Sequence, residues 1–120
     1  MFNKTNILVL DLETTVQTLG GKTDNSPYHP DNKCVSSHTS RIELEGMSEV
    51  KNLVFNHNEK DVPDSPAPLQ EELNWATLLV CQNAKFDVTW LLEMGFKIPD
   101  QVYCTMIGEY ILSKGQKRPL

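Results

Sequence analysis

The chain carries two short apolar runs with no polar interruption, Ile7-Leu8-Val9-Leu10 and Leu78-Leu79-Val80-Cys81. Continuous runs of this length, rich in β-branched and aliphatic residues, predict strands buried on both faces at the centre of a sheet. Two weaker patterns predict further strands. Lys33–Ile42 alternates Ser and Thr around Cys34 and Val35, and Asn52-Leu53-Val54-Phe55 is short and apolar. Between the first two strands, Gly20-Gly21 to Asn32 is polar and without period, and reads as a loop. Glu59–Pro68 holds Pro63, Pro66 and Pro68 among acids, and reads as another.

The second half changes period. Leu69, Leu73 and Trp75-Ala76 predict a short helix over Leu69–Ala76. Phe86, Trp90, Leu91 and Met94 recur at helical spacing, so Ala84–Gly95 is expected to be an amphipathic helix stopped by Gly95. Pro99 breaks the chain, Val102–Cys104 is a short strand, and Thr105 opens a helix carried by Met106, Ile107, Tyr110 and Ile111 and ended by Gly115. Three strands followed by helix, strand, helix, strand, helix imply an α/β fold around a mixed sheet, with antiparallel hairpins first and crossovers later. The expected core is Ile7, Val9, Leu79, Cys81, Phe86, Trp90 and Leu91.

Composition narrows the class. With 120 residues, 39% hydrophobic and 22% charged, the chain suits one small soluble domain. No apolar run approaches the roughly 20 residues of a membrane span, and the N-terminus lacks the shape of a signal peptide. Cys34, Cys81 and Cys104 are odd in number and lack metal-like spacing. They read as buried thiols, which implies a reducing, cytoplasmic compartment. The formal net charge is −5. A protein that held nucleic acid mainly by neutralising its backbone would be basic. Any nucleic-acid contact here must be local, with metal ions offsetting the acidic centre.

Carboxylates collect at the ends of the two central strands. Asp11 and Glu13 follow the first, two residues apart, and in an extended chain they face the same way. Asp87 follows the second, in the first turn of the next helix, facing back over the sheet rim where α/β sheets bind ligands. Like charges held side by side raise one another's pKa, and a hard divalent cation removes the conflict. Two such ions roughly 3.5–4 Å apart can stabilise both the attacking and the leaving oxygen of phosphodiester cleavage. Each acid also has an ordinary reading: Asp11 as a turn residue, Glu13 as a solvated acid, Asp87 as an acid favoured by the helix dipole, Asn83 as a plain N-cap.

Val9-Leu10-Asp11-Leu12-Glu13-Thr14-Thr15 resembles the first motif of the DEDD exonuclease superfamily, a strand followed by D-x-E-T. Asn83-Ala84-Lys85-Phe86-Asp87 resembles its second motif, N-x-x-(F/Y)-D. Cys104-Thr105-Met106-Ile107 with Tyr110-Ile111-Leu112 resembles the following segment in the 3′→5′ exonuclease domain of family-A DNA polymerases. Asn25-Ser26-Pro27-Tyr28-His29-Pro30 is similar to bacteriophage versions of that domain. The resemblance spans nearly the whole chain. It implies a ribonuclease H-like fold, a mixed central sheet flanked by helices, and two-metal hydrolysis of a single-stranded DNA 3′ end to nucleoside 5′-monophosphates.

The resemblance also implies roles. Asp11 would bridge two Mg²⁺ or Mn²⁺ ions, Glu13 would hold the ion that activates water, and Asp87 would hold the ion at the leaving oxygen. Thr14 and Asn83 match positions that contact the terminal nucleotide, and Lys85 would approach a phosphate. The family's wedge residue falls in Val16-Gln17-Thr18-Leu19, where the match is loose. The third motif, Tyr- or His-x-x-x-Asp, is not found: the one later Asp is Asp100, and Phe96 stands four residues before it. The expectation is therefore a C-terminally incomplete piece, residues 1–120 being a single partial, inactive domain. Its partner would be the rest of a DNA polymerase, in the same chain or as a separate subunit, in the host cytoplasm if phage-encoded. Alternatives are a stand-alone DEDD-type exoribonuclease and a non-catalytic remnant that holds a nucleic-acid end.

Overall fold

A computed structural model describes residues 5–43, 45–55 and 67–112, with side chains through residue 108. The sheet is built on β1 (Ile7–Thr14), which pairs antiparallel with β4 (Cys34–Glu43) on one side and parallel with β7 (Leu78–Cys81) on the other. β8 (Gln101–Cys104) adds in parallel outside β7. Two short strands, β5 (Gly46–Met47) and β6 (Lys51–Val54), share the outer edge of β4. The order β5-β4-β1-β7-β8 is a mixed sheet, with hairpin connections first and helical crossovers after. The crossover helices are α1 (Ala67–Trp75) and α2 (Ala84–Glu93), and α3 (Thr105–Leu112) follows β8. The α/β class and the mixed sheet expected from the hydrophobic pattern are what the chain forms.

One face of the sheet is the core. Leu8, Leu10 and Leu12 of β1 are buried with Leu79 and Cys81 of β7, and they share a cluster with Leu69 and Leu73 of α1 and Trp90 and Leu91 of α2. The expected core named Ile7 and Val9, and this needs correction. Both are only half-buried, because odd positions of β1 face away from α1 and α2. Leu79, Cys81, Trp90 and Leu91 are buried as expected, and Phe86 packs at the margin of the cluster.

The stretch expected to be a loop from Gly20-Gly21 to Asn32 begins as a hairpin instead. β2 (Gln17–Leu19) and β3 (Lys22–Asp24) pair antiparallel about Gly20 and Gly21. Both glycines have positive φ, 61° and 79°. This is what a two-residue hairpin turn of matching twist requires, and glycine adopts it without penalty. The irregular loop proper starts at Asn25.

α2 stops where the sequence indicated. Gly95 has φ of 88°, its N–H bonds to the Leu92 carbonyl at 3.1 Å, and the Phe96 N–H bonds to the Leu91 carbonyl at 3.0 Å. That pair of bonds satisfies the last carbonyls of the helix, and Phe96 turns back into the core. α1 is clamped to the sheet by a buried acid. Glu72 accepts two bonds from the Arg41 guanidinium, 3.0 Å from Nε and 2.7 Å from Nη2, and lies 3.3 Å from Lys51 Nζ. The Arg41 guanidinium also stacks 4.2 Å from the Trp75 ring centre. The proline-bearing loop expected over Glu59–Pro68 lies outside the described residues as far as residue 66, and Ala67 and Pro68 already belong to α1. The helix stop expected at Gly115 also lies outside them.

Candidate carboxylate site

The hydrophobic run ends at Leu10 as expected, but the strand continues: β4 pairs with β1 through Asp11↔His38, Leu12↔Ser37 and Glu13↔Ser36 to Thr14. On the other side, the paired register with β7 stops at Val9↔Val80. From Leu10 onward β1 therefore has one ladder partner and one open side. Asp11 and Glu13 lie within this extension on the same face of the strand, and both side chains are exposed. Among the described residues, neither carboxylate makes a hydrogen bond or an ion pair, so both are free to turn.

α2 fills the open side. After β7, Gln82 and Asn83 turn the chain, and Asp87 comes back in the first turn of the helix. The Asp87 carboxylate accepts a bond from the Leu12 N–H and another from the Cys81 thiol. It is only 3% exposed. Burial pushes its carboxyl up to about 7, and the charge of Asp11, then more weakly that of Glu13, pushes in the same direction. The two hydrogen bonds pull it part of the way back. Its thiol partner is shifted too: burial, with the Asp87 charge beside it, raises Cys81 well above the ordinary thiol range. Such a thiol is inert as a nucleophile and serves as a donor.

Asp11, Glu13 and Asp87 are thus within electrostatic reach of one another at the C-terminal rim of the parallel strands. Yet among the described residues no three His, Cys, Asp or Glu side chains stand as a ready group around one ion. Donor chemistry fits a hard cation, with carboxylate oxygens and a buried acid whose negative charge is opposed by its neighbours. Asp11 and Glu13 would have to rotate toward Asp87 to share one.

The remaining predicted residues are distributed around this rim. Thr14 is half-buried just past a β-bulge, at the step from Glu13↔Ser36 to Thr14↔Cys34. Asn83 occupies the N-cap position of α2, as its ordinary reading has it, but its side chain makes no capping bond. It is exposed, as is Lys85. Asp100 lies in the bend before β8, at the opposite end of that strand from Cys104 and α2, and does not join the carboxylates. No disulfide joins the cysteines; Cys34 and Cys81 are buried, and Cys104 is half-buried.

Sequence reasoning missed the residues that tie the loop after β3 to this rim. Asn32 is buried and donates through Nδ2 to the Asp24 carbonyl at 2.8 Å and the Ser26 carbonyl at 3.0 Å. Thr15 accepts the Lys33 N–H at 2.8 Å, and its hydroxyl lies 3.4 Å from Asn32 Oδ1. Trp90 donates its indole N–H to the Asn25 carbonyl at 2.9 Å, across 65 residues of sequence. Thr15, directly after the first motif, and Trp90, at helical spacing, were visible locally, but not as ties to this loop.

No protein-family model matches the chain, and neither a curated protein nor a solved structure matches it. Among the described residues, no helix is long and apolar enough to cross a membrane.

Proposed function

We propose that the chain belongs to a metal-dependent 3′→5′ exonuclease of the DEDD type, with a ribonuclease H-like fold, acting on single-stranded DNA ends beside a DNA polymerase. One observation carries the reading. Two exposed carboxylates on one face of β1 lie within electrostatic reach of one buried carboxylate on α2, where β1 outruns β7, and both oppose its charge. A fold gains nothing in stability from burying an acid beside two others. The arrangement makes chemical sense when a divalent cation offsets the charge.

In this reading Asp11, Glu13 and Asp87 would be the carboxylates that hold Mg²⁺ or Mn²⁺. When bound, the ions would supply a Lewis acid and an activated water. The protein's own part is to hold the donors. β4 keeps the β1 extension straight, and the Leu12 N–H and the Cys81 thiol hold Asp87 in place. Asn83, Lys85 and Thr14 flank the rim as polar groups for the terminal nucleotide and its phosphate. The reading accounts for three of the four carboxylates of such a site. The fourth, and a Tyr or His to orient water, would come from a Tyr- or His-x-x-x-Asp segment, which these 120 residues do not contain after Asp87.

A 5′-labelled single-stranded oligodeoxynucleotide tests this. A chain that also carries such a segment is expected to shorten the strand from its 3′ end in Mg²⁺ and release mononucleotides, and Asp11→Ala is expected to abolish this. The 120 residues alone are expected to be slower by orders of magnitude, because catalytic groups that act as a unit are not additive. Internal cutting, or shortening that survives Asp11→Ala, would refute the proposal.

A further inference from the structure

A cavity of about 390 Å³ opens between the loop that follows β3 and the first turns of α2; it shares Asn83 and Lys85 with the rim, and none of the three carboxylates lines it. Pro27 and Tyr28 belong to its loop side, Phe86 and Thr89 to its helix side, and Asn83 and Lys85 contribute an amide and a cation. Its size lies within the usual range for small-ligand sites.

The loop side is built rather than loose. Asp24 Oδ1 accepts the Ser26 N–H at 2.8 Å, the buried Asn32 amide holds the Asp24 and Ser26 carbonyls, and Trp90 grips the Asn25 carbonyl. From this tethered backbone Tyr28 projects 70% exposed, and its hydroxyl makes no hydrogen bond among the described residues. A large ring held in water contributes little to folding. It is poised to offer a flat face to a ligand.

The other groups define that ligand. Phe86 and the Thr89 methyl provide an apolar helix side. Among the described residues Lys85 makes no ion pair, and the Asn83 amide is not spent on capping. A planar ring with hydrogen-bonding edges and an attached anion matches all of these at once. In a chain of net charge −5, a cation left without a partner at the cavity favours a phosphate over an acid-free apolar peptide. Lys85 and Phe86 also immediately precede Asp87 on α2. A strand seated here would run toward the carboxylates.

We propose that this cavity is a nucleobase subsite for a single strand, with Tyr28 as the stacking platform and Lys85 as the contact to the adjoining phosphate. It rests on the nuclease reading only for the direction in which the strand runs. The probe is a short oligodeoxythymidylate bearing one 2-aminopurine, titrated with the 120-residue chain in EDTA at low salt. Stacking on Tyr28 is expected to quench its fluorescence saturably. Tyr28→Ala is expected to weaken binding at least about fivefold, the lower end of what a base–aromatic contact contributes, while Tyr28→Phe stays close to wild type. Lys85→Gln is expected to flatten the salt dependence by about 0.7 in the logarithmic slope, the share of one single-strand phosphate. Circular dichroism checks that each variant is folded. Equal binding by wild type and Tyr28→Ala, or no quenching at all, would overturn the subsite, as would tighter binding of an uncharged apolar peptide than of the oligonucleotide. Mn²⁺ binding by the same samples separates the two claims. Quenching that depends on Tyr28 in a chain that binds no Mn²⁺ would uphold the subsite and defeat the nuclease reading.

Discussion

Asp87→Asn is expected to stabilise the metal-free protein at alkaline pH. The Asp87 carboxyl is raised from 3.8 to about 7, by burial first and by Asp11 next. Between those two values the folded chain holds a proton that the unfolded chain has released. The folded state therefore binds more protons, and stability falls as pH rises through this window, levelling off above about 7. At 1.36 kcal/mol per unit, the full shift is worth on the order of 4 kcal/mol at pH 8, an upper bound because the site can relax. Asparagine keeps the shape, its amide oxygen can still accept the Leu12 N–H, and it has no charge to bury. Urea denaturation in EDTA at pH 4.5 and pH 8 measures the effect. Wild type should lose roughly 2–4 kcal/mol more than the variant between the two. Saturating Mn²⁺ at pH 8 should stabilise wild type more than Asp87→Asn, which keeps only Asp11 and Glu13 as donors, because binding to the folded state alone stabilises by mass action. Parallel pH profiles for the two proteins would refute the reasoning, since they would mean that Asp87 is not held as a strained acid.

Two further predictions concern the frame around the site. Trp90→Ala should cost roughly 3–5 kcal/mol in chemical denaturation, because it empties a packed core position. It also frees the Asn25 carbonyl, so the 25–28 loop should gain proteolytic sensitivity. Glu72→Ala should cost about 1–3 kcal/mol, less than a fully buried pair because Arg41 is partly exposed. Since Arg41 and then Lys51 lower the Glu72 pKa, that loss should be present at neutral pH and shrink as pH falls through and below the ordinary carboxylate range.

How much of this was legible in the chain depended on whether the signal was local. β7 matches the expected Leu78–Cys81 residue for residue, and α2 starts at Ala84 and stops before Gly95, because apolar runs and glycine stops are local features. The face of β1 was misread for a physical reason. Ile7-Leu8-Val9-Leu10 has no alternation, so either phase fits it. The phase was nevertheless encoded one turn of the pleat later: exposed Asp11 and Glu13 put odd positions outward and leave Leu8, Leu10 and Leu12 inside. The β2–β3 hairpin was missed because its strands are three residues each and almost wholly exposed, although paired glycines between Leu19 and Lys22 are a known turn signature.

The site shows the same division. That Asp11 and Glu13 share a face follows from strand period alone, and Asp87 in the first turn of α2 follows from the helix start. Their mutual approach depends on β1 running on past β7, which depends on β4, a pairing partner some 25 residues downstream of β1. Asn32 and Trp90 hold the rim loop through contacts that no window of sequence contains. The Glu72 clamp was likewise hidden, since Arg41, Lys51 and Glu72 come from three separate elements.

The most direct test of the central claim is a Mn²⁺ titration of the 120-residue chain at pH 8, followed by the loss of the free-ion paramagnetic resonance signal. The account predicts saturable binding by wild type and loss of most of it in Asp11→Ala, because Asp11 is one of the carboxylates proposed to hold the metal. Superimposable curves for the two proteins, with both folded, would contradict it.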